Sequence, residues 1–234
     1  MKPVKFCTAL ATALLLALPM AAFAQEAEEE GSPISWELTA VSDYVFRGAS
    51  QSDENPTGQA GITYTTPVGI YVGGWASGVD FGGNKPDFEV DYFVGYNVDF
   101  SDNVNFDIMV NRYTYPGASD LNYNELITST TFADTYSLTV VYSNDMWNSD
   151  TDGWYYGLGA EWGFGNDYTF GLNVGRSIFK DEVAEDYTDY GITFGKSWGL
   201  VSASLGWVGT DSKGETNFGK LADDRVVFTL SVGQ

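Results

Sequence analysis

Residues 88–100, FEVDYFVGYNVDF, alternate in a way that few architectures can accommodate. Phe88, Val90, Tyr92, Val94, Tyr96 and Val98 fill every second position. Glu89, Asp91, Asn97 and Asp99 stand between them, and Phe93 and Gly95 interrupt the polar set. A period of two is that of an extended strand, whose successive side chains point to opposite faces. One face is then apolar and aromatic while the other carries carboxylates. Comparable segments recur near residues 34–46, 57–66, 69–79, 87–99, 104–115, 121–132, 135–143, 153–163, 168–177, 187–197, 200–210 and 224–232. No helical periodicity of useful length competes with them.

The connections carry further information. Those after the second, fourth, sixth, eighth and tenth segments are brief: PVG, SDN, ADT, FGND and WGL. The others are longer and polar: RGASQSDENP, DFGGNKP, PGASD, NDMWNSDTD, IFKDEVAED and TDSKGETNFGKLAD. Strict alternation of short and long connections is the pattern of an outer-membrane barrel, with tight periplasmic turns, longer outer loops and an even strand number. The fold class expected is therefore all-β: a single up-and-down antiparallel transmembrane β-barrel of about 12 strands. A soluble β-sandwich or lipocalin-like barrel would bury the apolar face instead. The loop alternation, the breadth of the carboxylate-bearing face and the number of outward rings all argue against it.

Taking the more apolar set of each segment as outward gives Trp36, Leu38, Ala40, Tyr44 and Phe46, then Phe88 to Val98 by twos, and Val104, Phe106, Ile108 and Val110. Tyr136, Leu138, Val140 and Tyr142 continue it, followed by Trp154, Tyr156, Leu158, Ala160 and Trp162, and by Val226, Phe228, Leu230 and Val232. Within these sets Trp36 and Tyr44, Phe88 and Tyr96, and Trp154 and Trp162 are spaced to lie about 20 Å apart along the membrane normal. Such a spacing suits two interfacial aromatic girdles. One face would meet lipid and the other a wet lumen.

The N-terminus, MKPVKFCTALATALLLALPMAAFA, has two lysines, an apolar core and the small-x-small site Ala22-Phe23-Ala24. It reads as a secretory signal over residues 1–24, followed by an acidic arm over 25–33 and the barrel over 34–234. Cleavage after Ala24 would discard Cys7, the one cysteine, and with it any disulfide, zinc–cysteine site or thiol nucleophile. The formal charge of −21 becomes more negative still without Lys2 and Lys5. A field of that sign repels phosphates, so no nucleic acid is expected as a partner and cations are.

At SDYVFRGASQSDENPTGQAGITY, GIYVGGWASGVDF and FEVDYFVGY the sequence resembles the TorF porin family, most specifically at Ser42-Asp43-Tyr44-Val45-Phe46-Arg47-Gly48 with Ser50-Gln51-Ser52. The closing DDRVVFTLSV is similar to that family's last strand. The resemblance implies an outer-membrane barrel of porin type and brings neither substrate nor catalytic residues. Its partners would be outer-membrane lipid, the barrel-assembly machinery during biogenesis, which would read Phe228 and Leu230, and small solutes or cations.

An outer-membrane enzyme is the rival activity. Such enzymes generally use histidine as proton shuttle, and the chain has none. A carboxylate pair could still run glycosidic chemistry, with Glu89 and Asp91 the first candidates. No cofactor is implied, and neither catalysis nor a metal centre is expected. The expected function is passive diffusion of small hydrophilic solutes with mild cation preference. A structural or adhesion barrel with a filled lumen is the alternative. The inward set by parity includes Glu37, Gln59, Asn111, Asn173 and Asp189, and the candidate pore-lining residues within it are Asp43, Arg47, Glu89, Asp91, Asp107, Glu125, Glu161 and Arg225. Arg47 reads as a local ion pair with Asp43 or Asp53 at a loop root, with a constriction or gating cation as the other possibility. Arg112 and Arg176 have outward parity at the rim. The inward glycines Gly157, Gly159, Gly171 and Gly175 either widen the pore or let the barrel curve. The acidic loops SDENP and NDMWNSDTD are read as solvated, with weak Ca²⁺ binding as the alternative.

Overall fold

A computed structural model describes residues 32–82, 86–180 and 183–234. The expected signal sequence over 1–24 and nearly all of the expected acidic arm lie outside the described residues. Twelve antiparallel strands close on themselves: β1 (Ile34–Val41), β4 (Thr57–Thr65), β5 (Ile70–Gly78), β6 (Phe88–Ser101), β7 (Val104–Thr114), β8 (Tyr123–Phe132), β9 (Tyr136–Ser143), β10 (Gly153–Phe164), β11 (Tyr168–Phe179), β12 (Tyr187–Trp198), β13 (Val201–Thr210) and β14 (Arg225–Gly233). Each pairs with its sequence neighbours, and β1 closes the barrel on β14 through Ala40↔Leu230. A two-stranded hairpin, β2 (Val45–Phe46) and β3 (Ala49–Ser50), stands apart from the wall. The last long loop folds into a helix, α1 (Ser212–Phe218), capped by the Asp211 carboxylate. Among the described residues no helix is long and apolar enough to cross a membrane.

The outer wall is the apolar one. Leu38, Ile62, Val72, Val94, Val110, Leu158, Val174, Ile192, Leu205 and Leu230 are all exposed along its mid-height. Rings flank them: Tyr64, Phe100, Phe132, Tyr136, Phe164 and Trp198 toward the short turns, Phe88 and Trp154 toward the long loops. A continuous band of this kind has no place in water, and with its girdles it is the surface of a transmembrane barrel of outer-membrane type. Short turns mark the periplasmic end, long loops the outer end.

The first strand departs from the expected course. It ends at Val41 rather than at residue 46, because the chain leaves the wall and folds inward. Ser42 keeps hold of β14, its N–H donating to Phe228 O at 2.9 Å. Asp43 then accepts from Ser50 Oγ (2.6 Å) and Ser52 Oγ (3.0 Å), pulling the following segment into the barrel. Tyr44 therefore faces the interior, edge-on to Trp75 at 5.4 Å between centroids, and Phe46 packs beside it. The expected Trp36/Tyr44 girdle pair does not exist. The pairs Phe88/Tyr96 and Trp154/Trp162 do lie on the exposed outer face.

Two inward glycines are set by neighbouring rings. In the β5–β6 register Gly73 pairs with Phe93 and Tyr71 with Gly95, and a Cβ on either glycine would strike the partner's ring. On the far wall Gly157 and Gly175 make room for Tyr155. Gly157 and Gly175, two of the four expected to widen the pore or let the barrel curve, thus create space that a tyrosine occupies.

Candidate functional site

The lumen is divided into three layers. The outermost contains the in-folded hairpin and most of the charge. Phe46 and Ala49 flank a two-residue turn in which Arg47 (φ 47°) and Gly48 (φ 80°) both lie in the left-handed region. That geometry is the type I′ turn, matched to the twist of the strands it joins. Gly48 suits it. Arg47 is rare there and costs about 1–3 kcal/mol of backbone strain, a cost characteristic of functional positions.

The hairpin tip reaches across the barrel. Any Cβ on Gly48 would run into Thr210 of β13 and Asp189 of β12. Arg47 Nη1 and Nη2 each donate to a different oxygen of Glu125, both at 2.9 Å. Its guanidinium lies 4.6 Å from the Phe46 ring centroid and 4.5 Å from that of Tyr155. Tyr187 Oη donates to Arg47 O at 3.0 Å, and Tyr113 Oη donates to Glu125 Oε2 at 2.9 Å. Arg47 thus pairs with a residue 78 positions away, and the expected loop-root pair with Asp43 or Asp53 is absent. Those two carboxylates are taken by others: Asp43 by Arg225 Nη1 at 2.7 Å, Asp53 by Lys220 Nζ at 2.7 Å.

A bidentate arginine–carboxylate pair has fixed direction as well as charge. Here it pins the hairpin tip to β8, while Arg225 on β14 pins its root. The residues around it are sealed: Asp43, Arg47, Glu89, Asp91, Glu125 and Asp189 are all at most 5% exposed. This overturns the expectation of a lumen wet throughout.

Below that layer the interior turns apolar. Phe93, Met109, Ile127 and Val141, on the successive strands β6 to β9, form a wall completed by Trp75, Val208, Val227 and Val41. The third layer, at the periplasmic end, is polar and partly open. Glu37, Gln59, Asn97, Asn105, Glu161 and Asn173 are half-buried there. Asp107 accepts from Tyr71 Oη at 2.8 Å and from Asn97 Nδ2 at 3.3 Å.

Of the residues singled out by parity, the structure gathers Asp43, Arg47, Glu89, Asp91, Glu125 and Arg225 into the outer layer. Asp107 and Glu161 lie on the periplasmic side of the apolar belt. Arg112 and Arg176 do face outward, Arg112 donating to Asn124 and Arg176 lying 3.8 Å from Asp186 and 3.7 Å from Asp211. Tyr155, Tyr187 and the belt were not singled out for the site, whereas Asp189 belongs to the inward set and is buried. Phe93 alone carried a signal, as the break in the alternation of β6. No group of three histidine, cysteine or acidic side chains in metal-binding geometry occurs among the described residues.

Several solved outer-membrane channels have the same fold. A KdgM porin aligns at 9% identity with a TM-score of 0.55, covering 85% of this chain and 97% of that one. A NanC porin aligns at 8% identity and 0.56, covering 85% and 98%. An outer membrane channel from Pseudomonas putida F1 aligns at 8% and 0.51, covering 90% and 98%. A KdgM porin has also been solved in complex with disordered oligogalacturonate (10% identity, TM-score 0.53, covering 85% and 96%). No curated protein matches the sequence. At these identities the likeness is one of fold: the closed antiparallel barrel. A family model described as "Bacterial protein of unknown function (Gcw_chp)" matches residues 25–233, nearly the whole chain, and the protein belongs to that family.

Proposed function

We propose that this protein is an outer-membrane channel of porin type, passing small hydrophilic solutes with a mild preference for cations, and that the hairpin β2–β3 closes it at rest. The observation that carries the reading is the inward hairpin anchored by Arg47–Glu125 and Arg225–Asp43 inside a lipid-facing barrel. The resemblance of Ser42–Ser52 to the TorF porins falls on this same segment, which gives that stretch a mechanical role. Carboxylates outnumber the two arginines along the path, and a negative potential inside a low-dielectric cylinder favours cations. An acidic oligosaccharide such as the one bound by the KdgM porin would be repelled here. Neutral or cationic solutes fit the sign of the field.

The sealed outer layer favours a second reading, a structural barrel with a permanently filled lumen. One experiment separates the two. Purified protein in a planar bilayer conducts if the hairpin can leave, with K⁺ passing more readily than Cl⁻. The preference weakens as salt rises, because the screening length falls from ~10 Å at 0.1 M to ~3 Å at 1 M. Inserted protein that stays silent, with the hairpin deleted as well as present, sinks the channel and leaves the filled barrel. Anion preference would sink the proposed polarity.

A further inference from the structure

Glu89 and Asp91 are successive inward positions of β6, so their Cα atoms stand about 7 Å apart on one face. Both are sealed, at 2% and 0% exposure. The two arginines of the layer are already engaged, by Glu125 and by Asp43. Glu89 and Asp91 are left with neutral donors: the Tyr44 hydroxyl at 3.4 Å and the Tyr115 hydroxyl for Glu89, and Asn111 Nδ2 at 3.2 Å for Asp91 Oδ2. Two buried oxygens beside them, Asp91 Oδ1 and Asn111 Oδ1, have no hydrogen-bond partner.

A buried acceptor without a donor is costly, and a buried anion without a counter-charge more so. Protonation of Asp91 would let its hydroxyl donate to the amide oxygen of Asn111 but would leave Glu89 a buried anion without a counter-charge. Water would serve the amide but leave the charge. A metal cation answers both needs, because it takes carboxylate and amide oxygens together and supplies positive charge. We infer that Glu89, Asp91 and Asn111 form a lumenal site for one hard divalent cation of the Ca²⁺ kind. The formal charge of the two carboxylates matches such an ion, and Ca²⁺ tolerates an irregular oxygen shell completed by water better than Mg²⁺ does. Two carboxylates make a weak site, in the 10⁻⁴–10⁻³ M range of extracellular calcium modules. The ion would sit one layer above the apolar belt, facing the hairpin through Tyr44, so that it would also brace the closed state.

The site deepens the proposed cation preference and relies on that reading only for the ion's route of entry. Thermal unfolding of the full barrel in detergent is measured in CaCl₂ and in NaCl at equal ionic strength. At 10 mM Ca²⁺ the midpoint rises by about 3–10 °C, and the rise disappears in Glu89→Gln/Asp91→Asn. A midpoint insensitive to Ca²⁺, or a rise retained in the double variant, overturns the site, the latter assigning the ion to the loops or to bound lipopolysaccharide. Should the double variant fail to fold, Tb³⁺ added to the wild type gives the second measurement. Emission excited through tyrosine and displaced by Ca²⁺ is expected in the wild type and lost in Asn111→Leu, and its persistence in Asn111→Leu overturns the proposal. A silent bilayer with the Ca²⁺ shift intact refutes the channel alone, and conductance without the shift refutes the site alone.

Discussion

Replacing Arg47 by alanine should loosen the hairpin, and the size of the effect follows from the pair it breaks. The guanidinium makes two 2.9 Å bonds to Glu125, and both side chains are at most 4% exposed. Removing one partner of a buried ion pair costs about 3–5 kcal/mol, because the other charge is left uncompensated. Alanine keeps its Cβ, so the left-handed strain at position 47 is not relieved. If the whole cost falls on the in-folded state, the ratio of closed to displaced hairpin drops by two to nearly four decades, at about 1.4 kcal/mol per decade. Two assays read it: open probability in single-channel recordings, and amide hydrogen exchange across residues 43–52. Both should rise in Arg47→Ala and in Glu125→Gln. The double variant Arg47→Met/Glu125→Leu removes both charges together and should recover most of the closure. Single variants with wild-type exchange and conductance would refute the latch, as would a double variant as open as Arg47→Ala.

Other consequences are open to direct measurement. Val94→Arg, a charge at mid-height on the lipid face, should cost about 2–4 kcal/mol, whereas Asn97→Arg in the periplasmic vestibule should be tolerated; reversed costs in urea titrations of lipid-embedded barrels would invert the faces. In a Cys7→Ser background, which leaves no other thiol, Ser149→Cys should react with an impermeant thiol reagent on intact cells and Asp102→Cys should not. Burial pushes the Asp211 carboxyl up, but the N–H groups of Gly214, Thr188 and Lys213 outweigh it and hold it below the usual carboxylate range. A depressed folded-state value means that the cap's contribution is complete above about pH 4. It is lost as the pH falls further, so exchange at α1 amides, corrected for the intrinsic rate, should rise in that window. Asp211→Asn, which still caps, should flatten that dependence.

The barrel was legible because two regularities survive folding unchanged. Alternation along each segment is imposed by the pleat, and alternation of loop length by the up-and-down course. The hairpin was not legible, because its parity continues that of β1. Val41, Asp43 and Val45 keep the inward set and Tyr44 and Phe46 the outward set, so nothing in the period marks where the chain leaves the wall. The local cue was Gly48 directly after Arg47, a pair that can form a two-residue turn. What holds the hairpin tip in place, Glu125 and Tyr187, lies on β8 and β12 and is adjacent only after the barrel closes. The apolar belt was hidden for another reason. When both faces of a strand carry apolar residues, as at Phe93 in β6, ranking the faces by polarity names the outer one correctly and says little about the inner.

The hairpin is tethered at both ends, by β1 and by β4, to two strands that are paired with each other over eight residues. It therefore cannot diffuse away, and reinsertion is a first-order event whatever the protein concentration. Closing a flexible segment of about ten residues takes roughly 10–100 ns, far less than the time needed to break a buried ion pair. Current through such a barrel should arrive as brief flickers. Their frequency would report the breaking of Arg47 from Glu125, and their duration the search of a short leash for its socket.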